Sequence, residues 1–141
     1  MIYRIAVVIL TVLVVACTPG SEKKTDGQNN SADDVRKQVM EIHDEVMPKM
    51  GQLRKVEKAL RQTADSVITL DSAAAQKHLA VADRIKKANE EMMSWMRQFE
   101  PNYEGTEDEV RVYLEEQKLQ IRAVADSMNT SLAEGEDLIW K

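Results

Sequence analysis

Methionine and histidine recur in two stretches of the sequence, with a spacing that could bring soft ligand atoms together. The first stretch contains Met40, His43, Met47 and Met50. Their steps of three and four residues place them on one face of a helix. The second stretch is Met92-Met93-Ser94-Trp95-Met96. Thioether sulfur and imidazole nitrogen select soft ions such as Cu(I) and Ag(I), so two converging stretches would create a soft-metal site.

The same residues are open to two other interpretations. Methionine fills irregular core space and packs its sulfur well on aromatic rings, so the cluster could be core around Trp95. A methionine-rich surface also adapts to partner helices or peptides. The candidate residues for metal or partner binding are Met40, His43, Met47, Met50, Met92, Met93, Trp95 and Met96.

Cys17 is the only cysteine of the chain, and its surroundings indicate lipidation. A short, positively charged start with Arg4 precedes a largely apolar run, Ile5–Val15, which is too short to span a bilayer. Val14-Val15-Ala16-Cys17 resembles a bacterial lipobox, where a peptidase cuts before the cysteine and the thiol is diacylated. We therefore expect residues 1–16 to be a cleaved signal peptide and Cys17 to carry a stable lipid anchor.

Residues 17–30 are expected to form a lipid-anchored, flexible tether. The stretch after Cys17, TPGSEKKTDGQNN, holds no aliphatic or aromatic side chain and mixes Pro, Gly, Asn and charged residues. The whole chain has a formal charge of −5, which argues against nucleic acid as a partner. The expected partners are the membrane, through the lipid, and a protein of the envelope.

Residues 31–141 are predicted to form one all-α domain with helices at about 31–69, 72–99 and 107–134. Apolar residues recur every three or four positions from Val35 to Leu70, so the first helix carries one continuous stripe. Pro48 is interpreted as a kink in this helix rather than a break, because the stripe keeps its phase across it.

Local signals mark the ends of the later helices. Asp71 and Ser72 can cap the second helix, after a β-branched run that tolerates a helix poorly. Thr106 and Glu109 have the spacing of a capping box at the start of the third. That helix is expected to fray around Gly135, and Leu138, Ile139 and Trp140 either fold back with their apolar side chains or continue the helix.

Short connections between long helices favour an up-down-up, antiparallel three-helix bundle with coiled-coil-like crossings. A turn at residues 70 and 71 then places Val46 opposite Trp95, so the two methionine stretches meet. His78 lies on the inward stripe of the second helix and is expected to be a core or boundary histidine rather than a ligand. The alternative architecture is one rod that continues through the first turn, with the last helix folded against half of it.

The chain resembles a family of small Bacteroidota lipoproteins often labelled "viral A-type inclusion protein". The resemblance covers the whole domain and the lipobox start. It rests on three motifs, which are His43-Asp44-Glu45-Val46-Met47-Pro48-Lys49-Met50-Gly51, Met92-Met93-Ser94-Trp95-Met96 and Asp126-Ser127-Met128-Asn129-Thr130-Ser131-Leu132-Ala133-Glu134-Gly135-Glu136. It implies a lipid anchor and a helical fold, and it brings no known activity.

The resemblance also bears on location. Some Bacteroidota lipoproteins that reach the cell surface carry an acidic run just after the lipidated cysteine. Here residues 18–24 hold only one acid, Glu22. We therefore expect the protein to face the periplasm from the outer membrane.

Catalysis is not expected from this sequence. The chain has two histidines, and it lacks a glycine-rich phosphate loop and an HExxH pair. Cys17 would be consumed by lipid, which leaves no thiol for nucleophilic chemistry. The sequence therefore predicts a non-enzymatic, lipid-anchored envelope adaptor without a cofactor, and the alternative is a periplasmic Cu(I)- or Ag(I)-binding protein.

Overall fold

The computed structural model describes residues 31–140, and these residues form an all-α bundle without strands. The helices are α1 (Ala32–Val46), α2 (Lys49–Val67), α3 (Ser72–Gln98) and α4 (Glu107–Trp140). The predicted signal peptide, the tether with Cys17, and Lys141 lie outside the described residues.

The junction of α1 and α2 is a kink at Met47 and Pro48. Both residues keep right-handed helical backbone angles, with φ −52° and ψ −42° at Met47 and φ −61° and ψ −25° at Pro48. Proline has no N–H to donate, so the ladder loses a bond. It resumes with the Met50 N–H, which donates to the Met47 carbonyl at 3.2 Å. The helices α1 and α2 therefore act as one kinked rod, and the prediction of a kink is confirmed.

The turn between α2 and α3 lies where the sequence placed it. The side chain of Asp71 accepts a hydrogen bond from the Ala74 N–H at 2.9 Å and so caps α3. Leu70, however, was expected on the buried stripe and is 89% exposed. The expectation was wrong because α2 ends at Val67, which leaves Leu70 in the turn beyond the reach of the other helices.

Side-chain contacts between the helices give the bundle its topology. Arg61 of α2 bonds Asp83 of α3 at 2.8 Å, which fits an antiparallel pair joined at residues 68–71. Farther along the chain, Lys49 bonds Asn129 at 2.8 Å and Gln52 bonds Glu136 at 2.5 Å, so α4 runs parallel to the first rod. The three helical rods enclose one core, as the up-down-up prediction requires. The single-rod alternative was wrong.

Helix α4 continues through Gly135 to Trp140, so the expected fraying at Gly135 was also wrong. Gly135 is buried where all three rods approach one another. A Cβ added there would lie 2.5 Å from Cγ1 of Val56 and 2.8 Å from Cδ1 of Ile85. Its backbone angle φ is not positive. This glycine serves a close helix approach and does not stop the helix.

The start of α4 is fixed by the predicted capping box. The Glu109 carboxylate accepts hydrogen bonds from the backbone N–H and the hydroxyl of Thr106, both at 2.8 Å. These bonds favour the charged carboxylate, and they lower the pKa of Glu109 below its ordinary value. The loop before α4 is held by the Glu100 N–H, which donates to the Tyr113 hydroxyl at 2.7 Å.

Candidate functional site

The two methionine stretches meet, as the predicted pairing of the helices requires. The ring of His43 on α1 lies 5.8 Å from the ring of Trp95 on α3, measured between centroids. Trp95 in turn stacks on Phe99 at 4.8 Å, and it is only 5% exposed. Trp95 therefore occupies the centre of the contact between the two stretches.

The methionines of the two stretches differ in their burial around this tryptophan. Met50 and Met92 are buried in the core, and Met47 and Met96 are half-buried against it. Met40 is half-buried on α1. Met93, by contrast, is 43% exposed, because it lies one position away from the inward stripe of α3. Most of the candidate cluster is thus core packing, and one methionine faces outward.

His43 already has two neighbours that fix its ring. Its Nδ1 atom lies 2.8 Å from the Asp44 carboxylate, and its ring lies against Trp95. Within residues 31–140, no three His, Cys, Asp or Glu side chains are grouped as a metal centre. A soft-metal site at His43 would therefore depend on methionine sulfur for most of its ligands.

The other histidine has a structural role. Nδ1 of His78 lies 2.7 Å from the carbonyl oxygen of Ala74, one turn earlier on α3. Its side chain is half-buried at the edge of the core. His78 is a boundary histidine, as the sequence predicted.

Met93 lies in an open groove between α2 and α3, which we call the α2–α3 groove. Its volume is about 240 Å³. Met50 and Arg54 line it from α2, and the lining residues of α3 include Asn89, Met93 and Arg97. His43 is not among the lining residues, so this groove and the imidazole are separate features.

The most unusual residue of the groove is Asn89. It is only 9% exposed, and within residues 31–140 neither Nδ2 nor Oδ1 of its side chain has a hydrogen-bond partner. Buried polar groups almost always have a partner, because an unmade bond costs the full desolvation of the group. Asn89 was not among the predicted site residues, because Ala88 held the inward position of the stripe. The only feature of the sequence that could have indicated a site here is an asparagine beside the apolar stripe of α3, one turn before an outward-facing methionine.

The acidic side chains of the α2–α3 groove have ion-pair partners, whereas its two arginines have none among the described residues. Its two acids have cationic neighbours, since Glu57 bonds Arg61 at 3.1 Å and Glu90 lies 3.7 Å from Lys86. Arg54 and Arg97 have no ion pair among residues 31–140. The groove therefore presents two free guanidinium groups beside a partnerless amide and two thioethers.

A second, larger groove runs between α3 and α4. It has a volume of about 540 Å³, and its lining combines uncharged polar side chains with the apolar Trp95, Ala123 and Val124. Gln98 is already engaged, since its Nε2 donates to the hydroxyl of Ser94 at 2.8 Å. The indole Nε1 of Trp95 is buried and has no hydrogen-bond partner in the described part of the chain. This groove is open and largely apolar, and none of its lining residues is a buried amide like Asn89 in the α2–α3 groove.

Comparison with protein-family models, curated proteins and solved structures found no match to this chain. None of the helices in residues 31–140 has the length and apolar character needed to cross a membrane.

Proposed function

We propose that this chain is a non-catalytic, lipid-anchored envelope protein whose helical bundle binds another protein. The anchor is placed at Cys17, before the described residues, on the lipobox-like sequence Val14-Val15-Ala16-Cys17. The location proposed is the outer membrane, with the bundle in the periplasm. The bundle then acts as an adaptor held at the membrane.

The observation that carries the adaptor function is the α2–α3 groove. An exposed methionine, Met93, lies there beside Asn89, whose buried amide lacks partners. Methionine is flexible and polarisable and so adapts to different partner surfaces. The unmade hydrogen bonds of Asn89 favour an occupant that completes them. Both features fit a surface that another chain covers.

Binding of Cu(I) at His43 has weaker support than the adaptor function. His43 is bonded to Asp44 and packed on Trp95, while Met93 lines the α2–α3 groove. A Cu(I) titration against a competing chelator separates the two functions. We expect an affinity no better than that of a generic methionine-containing peptide, with no change in the His43→Ala variant.

The adaptor function is tested by site-specific photo-cross-linking in intact cells. A photoreactive amino acid replaces Met93 in the full chain, and the matched control replaces Leu119, an exposed leucine on α4. We expect irradiation to join the same envelope protein to position 93 in repeated preparations, identified by mass spectrometry, and not to position 119. Equal labelling at both positions, or none at position 93, would contradict the adaptor function.

A further inference from the structure

Building on the adaptor function, we propose that the α2–α3 groove binds an extended, acidic segment of the partner protein. Asn89 bonds the backbone of this segment, and Arg54 and Arg97 pair with its carboxylates. Each of the three groups lines the same groove.

The Asn89 amide indicates which kind of group it meets. A primary amide offers a donor and an acceptor side by side, and the N–H and C=O of one residue in an extended chain, which point to the same side, offer the complementary pair. Neither atom of the Asn89 amide has a partner within residues 31–140, so one residue of an extended segment can satisfy both at once. A charged side chain or a thioether would satisfy only one of them.

The same amide favours an extended segment over a helix. In a helix, each interior N–H is already bonded to the carbonyl four residues earlier. Only an extended chain presents free backbone donors and acceptors to a side chain in a groove. Met50 and Met93 would then contact the aliphatic parts of the segment, because methionine adapts to irregular apolar shapes.

Charge selects an acidic segment. Four described arginines have carboxylate partners, namely Arg36, Arg61, Arg84 and Arg111, whereas Arg54, Arg97 and Arg122 have no ion pair within residues 31–140. Of these three, only Arg54 of α2 and Arg97 of α3 line the α2–α3 groove. The planar guanidinium group binds a carboxylate through two parallel bonds, so acidic side chains complete this pattern.

The size of the groove fits a segment of a protein better than an enclosed small molecule. Pockets for small molecules usually hold about 300–1,000 Å³ and bury most of the ligand. The α2–α3 groove is open and holds about 240 Å³. A short part of an extended chain fills such a volume, while the rest continues along the surface.

Fluorescence anisotropy with the full chain in detergent tests this inference. The probes are short labelled peptides in which Asp or Glu alternates with aliphatic residues. Control peptides carry Asn and Gln in place of Asp and Glu. We expect the acidic peptides to bind roughly tenfold tighter or more than the controls, and to weaken as salt is added. Equal binding of the two sets, or binding of neither, would overturn the inference.

Substitution of the two groove arginines, with a third arginine as control, tests whether the peptide binds in the α2–α3 groove. We expect Arg54→Gln and Arg97→Gln each to weaken binding of the acidic peptide by roughly tenfold. The matched control is Arg122→Gln, which removes an exposed arginine from α4 without touching the groove. If Arg122→Gln weakens binding as much as the groove variants do, the effect is general charge attraction, and the inference is wrong.

The Asn89→Leu variant separates binding from folding. It removes the unpaired buried amide, so we expect its melting temperature to equal or exceed that of the wild type while peptide binding falls. Unchanged peptide binding in this variant would contradict a role for Asn89.

Cross-linking at Met93 distinguishes failure of the adaptor function from failure of the acidic-segment inference. If a partner is captured there but acidic peptides do not bind, the adaptor function stands and the acidic chemistry is wrong.

Discussion

Trp95 is the residue on which the packing of one end of the bundle depends. It is almost fully buried and lies between the rings of His43 and Phe99. We expect Trp95→Ala to lower the free energy of unfolding by about 3–5 kcal/mol, because it leaves a cavity between helices. Denaturant unfolding followed by circular dichroism measures this change.

Trp95→Phe is the matched control, because it keeps an aromatic ring and removes the unpaired indole nitrogen. We expect a smaller loss of stability for this variant than for Trp95→Ala. A loss below about 1 kcal/mol for Trp95→Ala would mean that the side chain contributes little to packing, contrary to its burial.

At the scale of single residues, the sequence predicted the inward positions and missed the polar exceptions. The apolar stripe correctly placed Met50, Met92 and Trp95 in the core. It could not reveal that Lys118 is buried, because the Lys118 ammonium group is held by Gln38 on α1 and by Glu115. Asn89 was missed because Ala88 next to it held the inward position of the stripe. The periodicity of apolar residues predicts which face of a helix is buried. Whether a polar side chain is also buried depends on neighbours from another helix.

Two glycines on neighbouring elements should respond in opposite ways to the same substitution. A Cβ at Gly51 in α2 meets nothing within 4 Å, whereas a Cβ at Gly135 in α4 meets Val56 and Ile85. We expect Gly51→Ala to raise the free energy of unfolding by up to about 1 kcal/mol through helix propensity. Gly135→Ala gains the same propensity but overpacks the core at a cost of about 1–3 kcal/mol, so we expect a net loss.

Thermal and denaturant unfolding of the two glycine variants provides the measurement. Each variant acts as the control for the other, since the chemical change is identical. Stabilisation by Gly135→Ala would contradict the close helix approach at that position.

The capping box of α4 should make part of the stability depend on pH. The pKa of Glu109 is lowered in the folded state, so the charged carboxylate stabilises the fold above the unfolded pKa. This contribution is lost as the pH falls through the lowered pKa. The variant Glu109→Gln keeps an acceptor for Thr106 but carries no charge. We expect it to melt below the wild type at neutral pH and to converge with it in acid.

Melting curves of the wild type and Glu109→Gln across the acidic range test this dependence. The exposed control is Glu116→Gln, which lies farther along α4. A difference between wild type and Glu109→Gln that stays constant into strong acid would exclude the charge of Glu109 as its cause.

The elements themselves were largely predictable, and the errors lie at their ends. The phase of the stripe across Pro48 correctly indicated a kinked rod, because the backbone stays helical there. Asp71 and Thr106 correctly marked two helix starts. Gly135 misled, because glycine is the usual signal for a helix end and also the residue that permits close packing. The sequence alone does not distinguish these two uses.

At the scale of the whole molecule, attachment to the membrane is the prediction with the broadest consequence. Cys17→Ser removes the proposed acylation site and leaves the bundle unchanged. We expect wild-type protein to sediment with membranes of a bacterial host and the variant to move to the non-membrane fraction. Full retention of the variant in the membrane pool would contradict the lipid anchor.

The control for this experiment is Ser21→Ala, a polar change in the same stretch that leaves Cys17 in place. We expect it to fractionate as the wild type does.

The bundle topology could be predicted from the lengths of the helices and the short connections between them. The binding properties of the grooves depend instead on which side chains lack partners after folding. That information exists only in the folded chain.

The direction of α1 determines which end of the bundle faces the point of attachment. The chain enters α1 at Ser31, and Arg36 reaches from there to the carbonyl of Pro101 in the α3–α4 loop. The stacked rings near Tyr113 therefore lie at the end of the bundle where α1 begins. The turn with Leu70 lies at the far end, roughly 50 Å along the kinked rod at 1.5 Å per residue. In the proposed lipid-anchored protein, the aromatic end is therefore the end joined to the anchor, and a partner reaches the α2–α3 groove from the side of the bundle.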